Sequence, residues 1–110
     1  MLKATRNSGK NRQSLDIIGE MLSISSVRTK KTKIMYRANL SFLQVDKYLK
    51  VLLESGLLEH DLDSGYLITE KGMEFLKFYK EYQKRSEHLR EEIGRNIEDR
   101  RWLEKMSRIR

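Results

Sequence analysis

The segment from residue 70 to residue 110 has no proline, and its only glycines are Gly72 and Gly94. Proline breaks a helix, whereas an internal glycine costs only about 1 kcal/mol relative to alanine. The segment therefore predicts one long helix. The residues before it must supply the compact core. A charged content of 35% with 38% hydrophobic residues suits a small core attached to a solvated helix.

Apolar and aromatic residues recur along this helix at alternating spacings of four and three residues, which is typical of a coiled coil. The repeat is imperfect, because Ser86, Asn96 and Arg100 occupy inward positions. Ile97 lies one position away from the seam, which indicates a local change of register or an eleven-residue repeat. The residues predicted to form a dimer seam are Tyr79, Tyr82, Ser86, Leu89, Ile93, Ile97 and Leu103.

A lone helix with these side chains would expose a long apolar strip to water. Pairing with a second copy is the simplest way to cover that strip, and most homo-oligomers are two-fold dimers. We therefore predict a homodimer. The alternative is a helix that folds back on its own domain, with Trp102 as a core residue.

The chain before residue 70 predicts three shorter helices and a hairpin. The first helix spans about residues 14–24, with Ser14 as its cap. Its apolar residues fall on one helical face. That predicted face is formed by Leu15, Ile18, Met21 and Leu22.

The second helix is predicted over about residues 30–37, followed by a tight connection over residues 38–40. Ser41 followed by Gln44 is a capping-box signature, so the third helix begins there. It ends at Gly56, because glycine is favoured just past the end of a helix.

Two apolar stretches, residues 57–61 and 66–69, flank the turn-rich segment 62–65 and predict a β-hairpin. Thr69 can then cap the long helix. A short helix joined tightly to a second helix is a helix-turn-helix, and a hairpin directly after it is a wing. The predicted fold class is therefore mainly α with a small β-hairpin: a winged helix-turn-helix followed by a long C-terminal coiled-coil helix.

This reading divides the chain into three parts. Residues 1–13 are predicted to be a flexible basic arm, either a tail that follows phosphates or a disordered terminus. Residues 14–72 form the winged-helix domain, and residues 73–110 form the dimerisation helix.

The excess positive charge lies in the first third of the chain. Residues 1–37 carry nine Lys or Arg and two acids, whereas residues 38–110 carry fourteen of each. A charge distribution this one-sided indicates a polyanionic partner, and nucleic acid is the commonest polyanion that proteins bind. The alternative is a solvated basic face.

Several function classes have little support. The absence of cysteine excludes disulfides, thiolate zinc sites and thiol catalysis. The glycines are scattered singly, so no glycine-rich phosphate loop is present, and there are only two histidines. No apolar run is long enough to span a bilayer, and the start lacks the apolar core of a signal peptide. We predict a cytoplasmic, nucleoid-associated protein that is not an enzyme, with no cofactor, no metal and no small-molecule ligand.

The order and spacing of several motifs resemble the helix-turn-helix signature of small archaeal winged-helix DNA-binding proteins. The stretches that carry the resemblance are residues 30–41, 48–49, 52–53, 56–58 and 66–72. That family includes chromatin-associated proteins and predicted transcriptional regulators. The resemblance covers about residues 12–90 and implies double-stranded DNA binding. It also implies dimerisation through a long C-terminal helix that forms an antiparallel coiled coil.

The third helix of a winged helix lies in the major groove, with its N-terminal half nearest the bases. Gln44 is placed to read adenine unless it is occupied in the capping box. Lys47 is placed to read guanine or contact phosphate, and Lys47 and Lys50 are predicted chiefly as phosphate contacts. The full set of residues predicted to contact DNA is Thr29, Lys30, Lys31, Thr32, Lys33, Arg37, Ser41, Gln44, Lys47 and Lys50.

Four further residues extend or border this set. The basic side chains Lys10 and Arg12 are predicted to continue the same surface. Tyr36 and Tyr48 either donate hydrogen bonds to phosphates or pack as half-buried residues.

The predicted wing, residues 60–65, is acidic, and an acidic wing does not suit contact with DNA. His60 lies beside Asp61 and Asp63, but exposed hairpin turns commonly hold such residues, so no metal site is predicted. The acidic wing also supports an alternative function, a winged helix that mediates protein contacts without binding DNA.

Overall fold

The computed structural model of the chain describes residues 12–108, and the predicted basic arm lies almost wholly outside this range. Three helices, a two-stranded hairpin and one long helix follow each other along the chain. The elements are α1 (Ser14–Ile24), α2 (Lys31–Arg37), α3 (Phe42–Glu54), β1 (Leu58–Asp61), β2 (Gly65–Ile68) and α4 (Glu70–Ser107). This order confirms the predicted fold class.

The start of α1 differs from the prediction in its capping residue. Gln13, not Ser14, is the N-cap, and the backbone N–H of Gln13 donates to a carboxylate oxygen of Asp16 at 3.2 Å. The Ser14 hydroxyl instead lies 3.0 Å from the hydroxyl of Tyr48 on α3. Ser14 therefore links α1 to α3 and does not cap the N-terminus of α1.

The buried face of α1 is rotated relative to the predicted one. Met21 and Leu22 are fully buried as expected, and Ile17 joins them in the core. Leu15, by contrast, is exposed and is not part of the core. A purely periodic reading cannot fix the direction from which a partner helix packs.

The turn between α2 and α3 and the cap of α3 follow the prediction closely. Asn39 adopts a left-handed backbone conformation with φ of 56°, which asparagine tolerates better than most residues. The Ser41 hydroxyl accepts from the Gln44 backbone N–H at 3.1 Å, and the Gln44 side-chain oxygen accepts from the Ser41 N–H at 2.9 Å. This reciprocal capping box fixes where α3 begins.

The wing is an antiparallel hairpin in which Leu58 pairs with Ile68 and His60 pairs with Tyr66. A third segment joins its edge, because Thr29 and Tyr66 exchange two backbone hydrogen bonds of 2.9 and 2.8 Å. Gly65 permits this approach, since a Cβ at that position would collide with the Thr29 carbonyl oxygen. The segment that leads into α2 is therefore hydrogen-bonded to the edge of the hairpin, and this pairing fixes where α2 starts.

The core lies between α1, α2, α3 and the inner side of the hairpin. Its fully buried members are Met21, Leu22, Ile34, Ala38, Val45 and Leu52. The first turns of α4 close this core, because Phe75 and Leu76 pack against it. The packed part of α4 thus extends beyond the predicted domain boundary at residue 72.

Tyr79 is the last residue of α4 to be buried, with 9% of its surface exposed. Its ring lies against Gly19 on α1, and its hydroxyl donates to Asp16 at 2.6 Å. Burial, followed by the hydrogen bond to Asp16, raises the pKa of Tyr79, so the phenol stays protonated and remains a donor. Tyr79 was predicted for the dimer seam, but it packs within its own chain and has little surface left for a partner.

Beyond Tyr79 the long helix leaves the domain, and residues 80–108 contain no buried side chain. The described part of the molecule is accordingly elongated, with principal extents of 68, 26 and 19 Å. Trp102 is exposed, so α4 does not fold back on its own domain as the alternative reading required.

We predict that Gly19→Ala destabilises the domain. A Cβ at residue 19 would lie 2.5 Å from the Tyr79 ring, which its hydrogen bond to Asp16 holds in place. Overpacking should lower the free energy of unfolding by about 1–2 kcal/mol, measured by urea denaturation. Gly94→Ala is the matched control, because nothing lies within 4 Å of a Cβ there. That variant should gain up to about 1 kcal/mol from helix propensity. Equal effects of the two variants would contradict this packing account.

Candidate nucleic-acid interface

The outer side of α3 is defined by what the helix buries. Its inner side is formed by Val45, Tyr48, Leu49 and Leu52, which lie in the core. At about 100° per residue, the positions opposite this buried side are 43, 47, 50 and 54. Leu43, Lys47 and Lys50 are all exposed. The outer side of α3 therefore presents Leu43 near its capped N-terminus, Lys47 and Lys50 farther along, and the exposed Glu54 at its last residue.

The surroundings of this helix are strongly basic. Residues 21–53 carry seven Lys or Arg and a single acid, Asp46. Six of these cations are exposed. Arg28 pairs with Glu59 at 3.4 Å, and the described part of the chain gives the other five no ion-pair partner. They are Lys30, Lys33 and Arg37 on or beside α2, and Lys47 and Lys50 on α3. We call these five cations together with Leu43 the α2–α3 surface.

Lys31 differs from its neighbours because its charge is already engaged. Its ammonium forms an ion pair with Asp46 on α3 and lies 4.6 Å from the centre of the Phe42 ring. Both partners are on the first two turns of α3, so Lys31 braces α2 against the start of α3. Sequence reasoning predicted Lys31 as a phosphate contact and missed both Asp46 and Phe42 as its partners. The spacing of Phe42 and Asp46, one helical turn apart, is the signal that could have indicated a shared neighbour.

Thr29 was predicted to contact DNA, and the structure contradicts that role. The residue is 5% exposed, and its hydroxyl donates to the backbone carbonyls of Val27 and Ile24 at 2.7 and 3.2 Å. Its own N–H and carbonyl are paired with Tyr66. Thr29 is therefore part of the sheet edge, and a duplex cannot reach it.

Ser41 and Gln44 are exposed, but their groups are largely used in the capping box. The Gln44 side-chain oxygen holds the Ser41 N–H, whereas reading adenine needs the oxygen and the nitrogen of the amide together. The Ser41 hydroxyl accepts from Gln44 and keeps its own proton free to donate. Thr32, on the first turn of α2, is exposed.

Arg12 is not part of the exposed basic surface that the sequence predicted. Its side chain is 6% exposed, pairs with Glu20 at 2.7 Å and donates to the Asn39 carbonyl at 3.2 Å. Arg12 thus fastens α1 to the turn between α2 and α3. Lys10, which was predicted to extend the surface with it, lies outside the described residues.

The two tyrosines near the surface have separate roles. Tyr48 is buried, with its hydroxyl beside that of Ser14, and its ring supports Lys47, whose ammonium lies 5.2 Å from the ring centre. Tyr36 is largely exposed on α2 next to Arg37. Packing therefore accounts for Tyr48, and only Tyr36 has a hydroxyl accessible from solvent.

The wing is acidic in the structure as well. Glu59, Asp61 and Asp63 are exposed, while His60 stacks on Tyr66 with ring centres 4.2 Å apart. The backbone N–H of Asp63 donates to Asp61 and lowers the pKa of that carboxyl, which keeps it charged. Across residues 12–108 no three His, Cys, Asp or Glu side chains come together as a metal site.

The exposed part of α4 carries the predicted seam without Tyr79. Ser86 is half-buried, and the other members are exposed: Tyr82, Leu89, Ile93, Ile97 and Leu103. Trp102 and Met106 add further exposed apolar surface near the end of the helix. A continuous strip of this length on one helix is unusual on a monomer. None of the helices in the described range is long and apolar enough to cross a membrane.

Comparison with known proteins agrees with this architecture. A family model described as winged helix-turn-helix matches residues 11–87, so the chain belongs to the winged helix-turn-helix family. Among solved structures, the chain is similar to Sso10a-2, a DNA-binding protein from Sulfolobus solfataricus, with 27% identity and a TM-score of 0.73. The similarity covers 79% of this chain and 95% of that one. A search of curated proteins gave no match.

Proposed function

We propose that the protein binds double-stranded DNA through the α2–α3 surface. The observation that carries the proposal is the set of five exposed cations without ion-pair partners, on two helices that pack together. Phosphate neutralisation by Lys and Arg supplies most of the affinity of such a protein for a duplex. The similarity to a protein described as DNA-binding supports the same conclusion.

In the proposed complex, the N-terminal half of α3 enters the major groove. Lys47 and Lys50, on the outer side of α3, contact phosphates that border the groove, while Lys30, Lys33 and Arg37 contact the adjacent backbone. The Thr32 and Ser41 hydroxyls can donate to phosphate oxygens. Gln44 acts chiefly by fixing the start of α3 through its capping bond.

We further propose that two copies pair through α4 as an antiparallel coiled coil. The apolar strip from Tyr82 to Leu103 is the support for this pairing. α4 has 38 residues, which is about 57 Å at 1.5 Å per residue. Two domains on such a helix pair would be well separated, and could hold separate half-sites or bridge two duplexes. The role would be that of a transcriptional regulator or an architectural chromatin protein, acting at the nucleoid.

The experiment that tests DNA binding is a fluorescence-anisotropy titration at 50 and 200 mM salt, with duplexes of several sequences. If each copy neutralises about five phosphates, affinity should fall by a factor of about 10² to 10³ between these conditions. Similar affinity for all duplexes would favour the architectural role, and one preferred duplex would favour the regulator. No binding at 50 mM salt would overturn the proposal.

A second candidate function is a protein-interaction module, and the acidic wing is the observation that favours it. Glu59, Asp61 and Asp63 are exposed at the tip and edge of the hairpin and would be repelled by phosphates. Replacing these three acids by Asn or Gln separates the two candidates. DNA affinity should rise or stay constant if DNA is the partner, whereas binding of a basic protein partner should be lost.

We predict that Asp46→Asn strengthens DNA binding. Asp46 is the only acid within residues 21–53, and it neutralises Lys31. Removing its charge frees Lys31 and removes repulsion near the phosphates. The expected gain is up to about fivefold at 50 mM salt, the size of one charge–charge interaction at about 4 Å in water. Glu54→Gln, farther along α3, is the matched control and should have a smaller effect. Weaker binding of the Asp46 variant, with its fold intact, would contradict this account of Lys31.

A further inference from the structure

Leu43 is an unusual residue for the position it occupies. It is the second residue of α3, and 79% of its surface is exposed. Among the leucines that the structure describes, only Leu62, at the tip of the hairpin turn, is more exposed. A lone exposed leucine is ordinary on a protein surface. Leu43, however, lies at the start of the outer side of α3, one turn before the exposed Lys47 and two turns before the exposed Lys50.

The side chains of Gln44 and Asp46, which follow Leu43 on α3, are already engaged. The Gln44 side-chain oxygen holds the Ser41 N–H at 2.9 Å. Asp46 is paired with Lys31, which also covers one face of Phe42. Lys47 and Lys50 lie one and two turns farther along the helix. At the N-terminus of α3, the apolar side chain of Leu43 is therefore the one available to contact base edges in the major groove.

We infer that Leu43 contacts the C5-methyl group of thymine in the major groove, so that the protein favours duplexes with thymine at this position. The inference rests on the proposed DNA binding and adds a base preference to it. Thymine is the only standard base with an apolar group on its major-groove edge, and apolar side chains contact that methyl group. The cations of the α2–α3 surface favour DNA as the partner, because their positive charge complements the phosphates that border the groove.

The test uses the full chain and two duplexes that differ only in one group. In one duplex every thymine is replaced by deoxyuridine, which keeps each base pair and removes each methyl group. Covering one methyl group corresponds to about a fourfold change in affinity. The deoxyuridine duplex should therefore bind at least about fourfold more weakly, with an unchanged dependence on salt.

Two leucine variants assign this preference to a residue. Leu43→Ala should bring the ratio of affinities for the two duplexes close to one and leave the salt dependence unchanged. The substitution keeps a good helix former at an exposed position, so the fold should persist. Leu62→Ala is the matched control, because this leucine is 89% exposed on the acidic wing. That variant should keep the wild-type ratio.

The outcomes separate this inference from the proposed function. Equal affinity of the wild type for both duplexes, with steep salt dependence, would overturn the role of Leu43 and leave DNA binding standing. A ratio that persists in Leu43→Ala would overturn the assignment to this residue. Unchanged affinity of Leu43→Ala for every duplex would mean that Leu43 contributes nothing to DNA binding, which also contradicts the inference. If no duplex binds at low salt, the proposed function fails and the inference fails with it.

Discussion

Replacing Lys33, Lys47 and Lys50 together by alanine should lower the affinity for duplex DNA by about a hundredfold at 50 mM salt. All three lysines are exposed, and the described residues offer them no carboxylate partner. Each should contribute about one contact with a phosphate. The slope of the logarithm of affinity against the logarithm of salt concentration should therefore decrease by about one for each lysine lost. Anisotropy titration at several salt concentrations measures both quantities.

A matched control is available on α4. Lys77, Lys80 and Lys84 are also exposed lysines on a helix, and they lie away from both the apolar strip and the α2–α3 surface. Replacing these three by alanine changes the net charge by the same amount. The control variant should keep most of the affinity. Equal losses in the two triple variants would mean that binding follows total charge alone, and would contradict a defined interface.

Introducing two acids into the apolar strip of α4 should separate the proposed dimer. Leu89 and Ile93 are exposed on the single chain and would lie at the centre of the paired helices. Burying two unpaired carboxylates in that seam is strongly unfavourable. The variant Leu89→Asp with Ile93→Asp should therefore have the mass of one chain, 13.1 kDa, whereas the wild type should have about twice that mass. Sedimentation equilibrium at micromolar concentration measures the difference.

The same variant should lose helix content, because the outer half of α4 has no intrachain support. A helix without tertiary contacts frays in water unless it is long and intrinsically stable. Circular dichroism at 222 nm reports this change. Lys80→Asp with Lys84→Asp is the control, since it adds two acids to the same helix outside the strip. A wild-type chain that sediments as a monomer, or a strip variant that keeps the wild-type mass, would contradict the proposed pairing.

Much of the fold could be predicted because its signals are local. The capping box of Ser41 and Gln44, the left-handed Asn39 and the Thr69 cap each involve neighbouring residues, and each appears in the structure. The hairpin follows from a turn-rich segment between two apolar stretches. The long helix follows from the lack of helix-breaking residues after residue 70.

Most of the errors have a different physical origin, since they concern contacts between residues that are not neighbours in the sequence. Thr29 lies in a basic stretch, but its backbone pairs with Tyr66 far along the sequence. Arg12 was predicted to be another exposed cation, but its guanidinium pairs with Glu20 and donates to the Asn39 carbonyl. Charge and periodicity identify candidate residues, but they do not reveal which of them the fold has already used.

Tyr79 shows the same limit on the long helix. It fits the heptad repeat as well as Leu89 does, so spacing alone assigns it to the seam. The fold places Gly19 and Asp16 against its ring and hydroxyl instead. The boundary between the part of α4 that packs on the domain and the part that is free for a partner is therefore a tertiary property. A repeat in the sequence does not mark it.

The most direct test of the proposed interface is to map where DNA touches the chain. Nuclear magnetic resonance of the isotope-labelled full chain, titrated with a short duplex, reports each backbone amide separately. The largest shift changes should fall within residues 30–50, on α2 and the first nine residues of α3, while residues 59–63 of the acidic wing stay nearly unchanged. Changes concentrated on the wing or on the outer half of α4, or no changes at low salt, would contradict DNA binding by the α2–α3 surface.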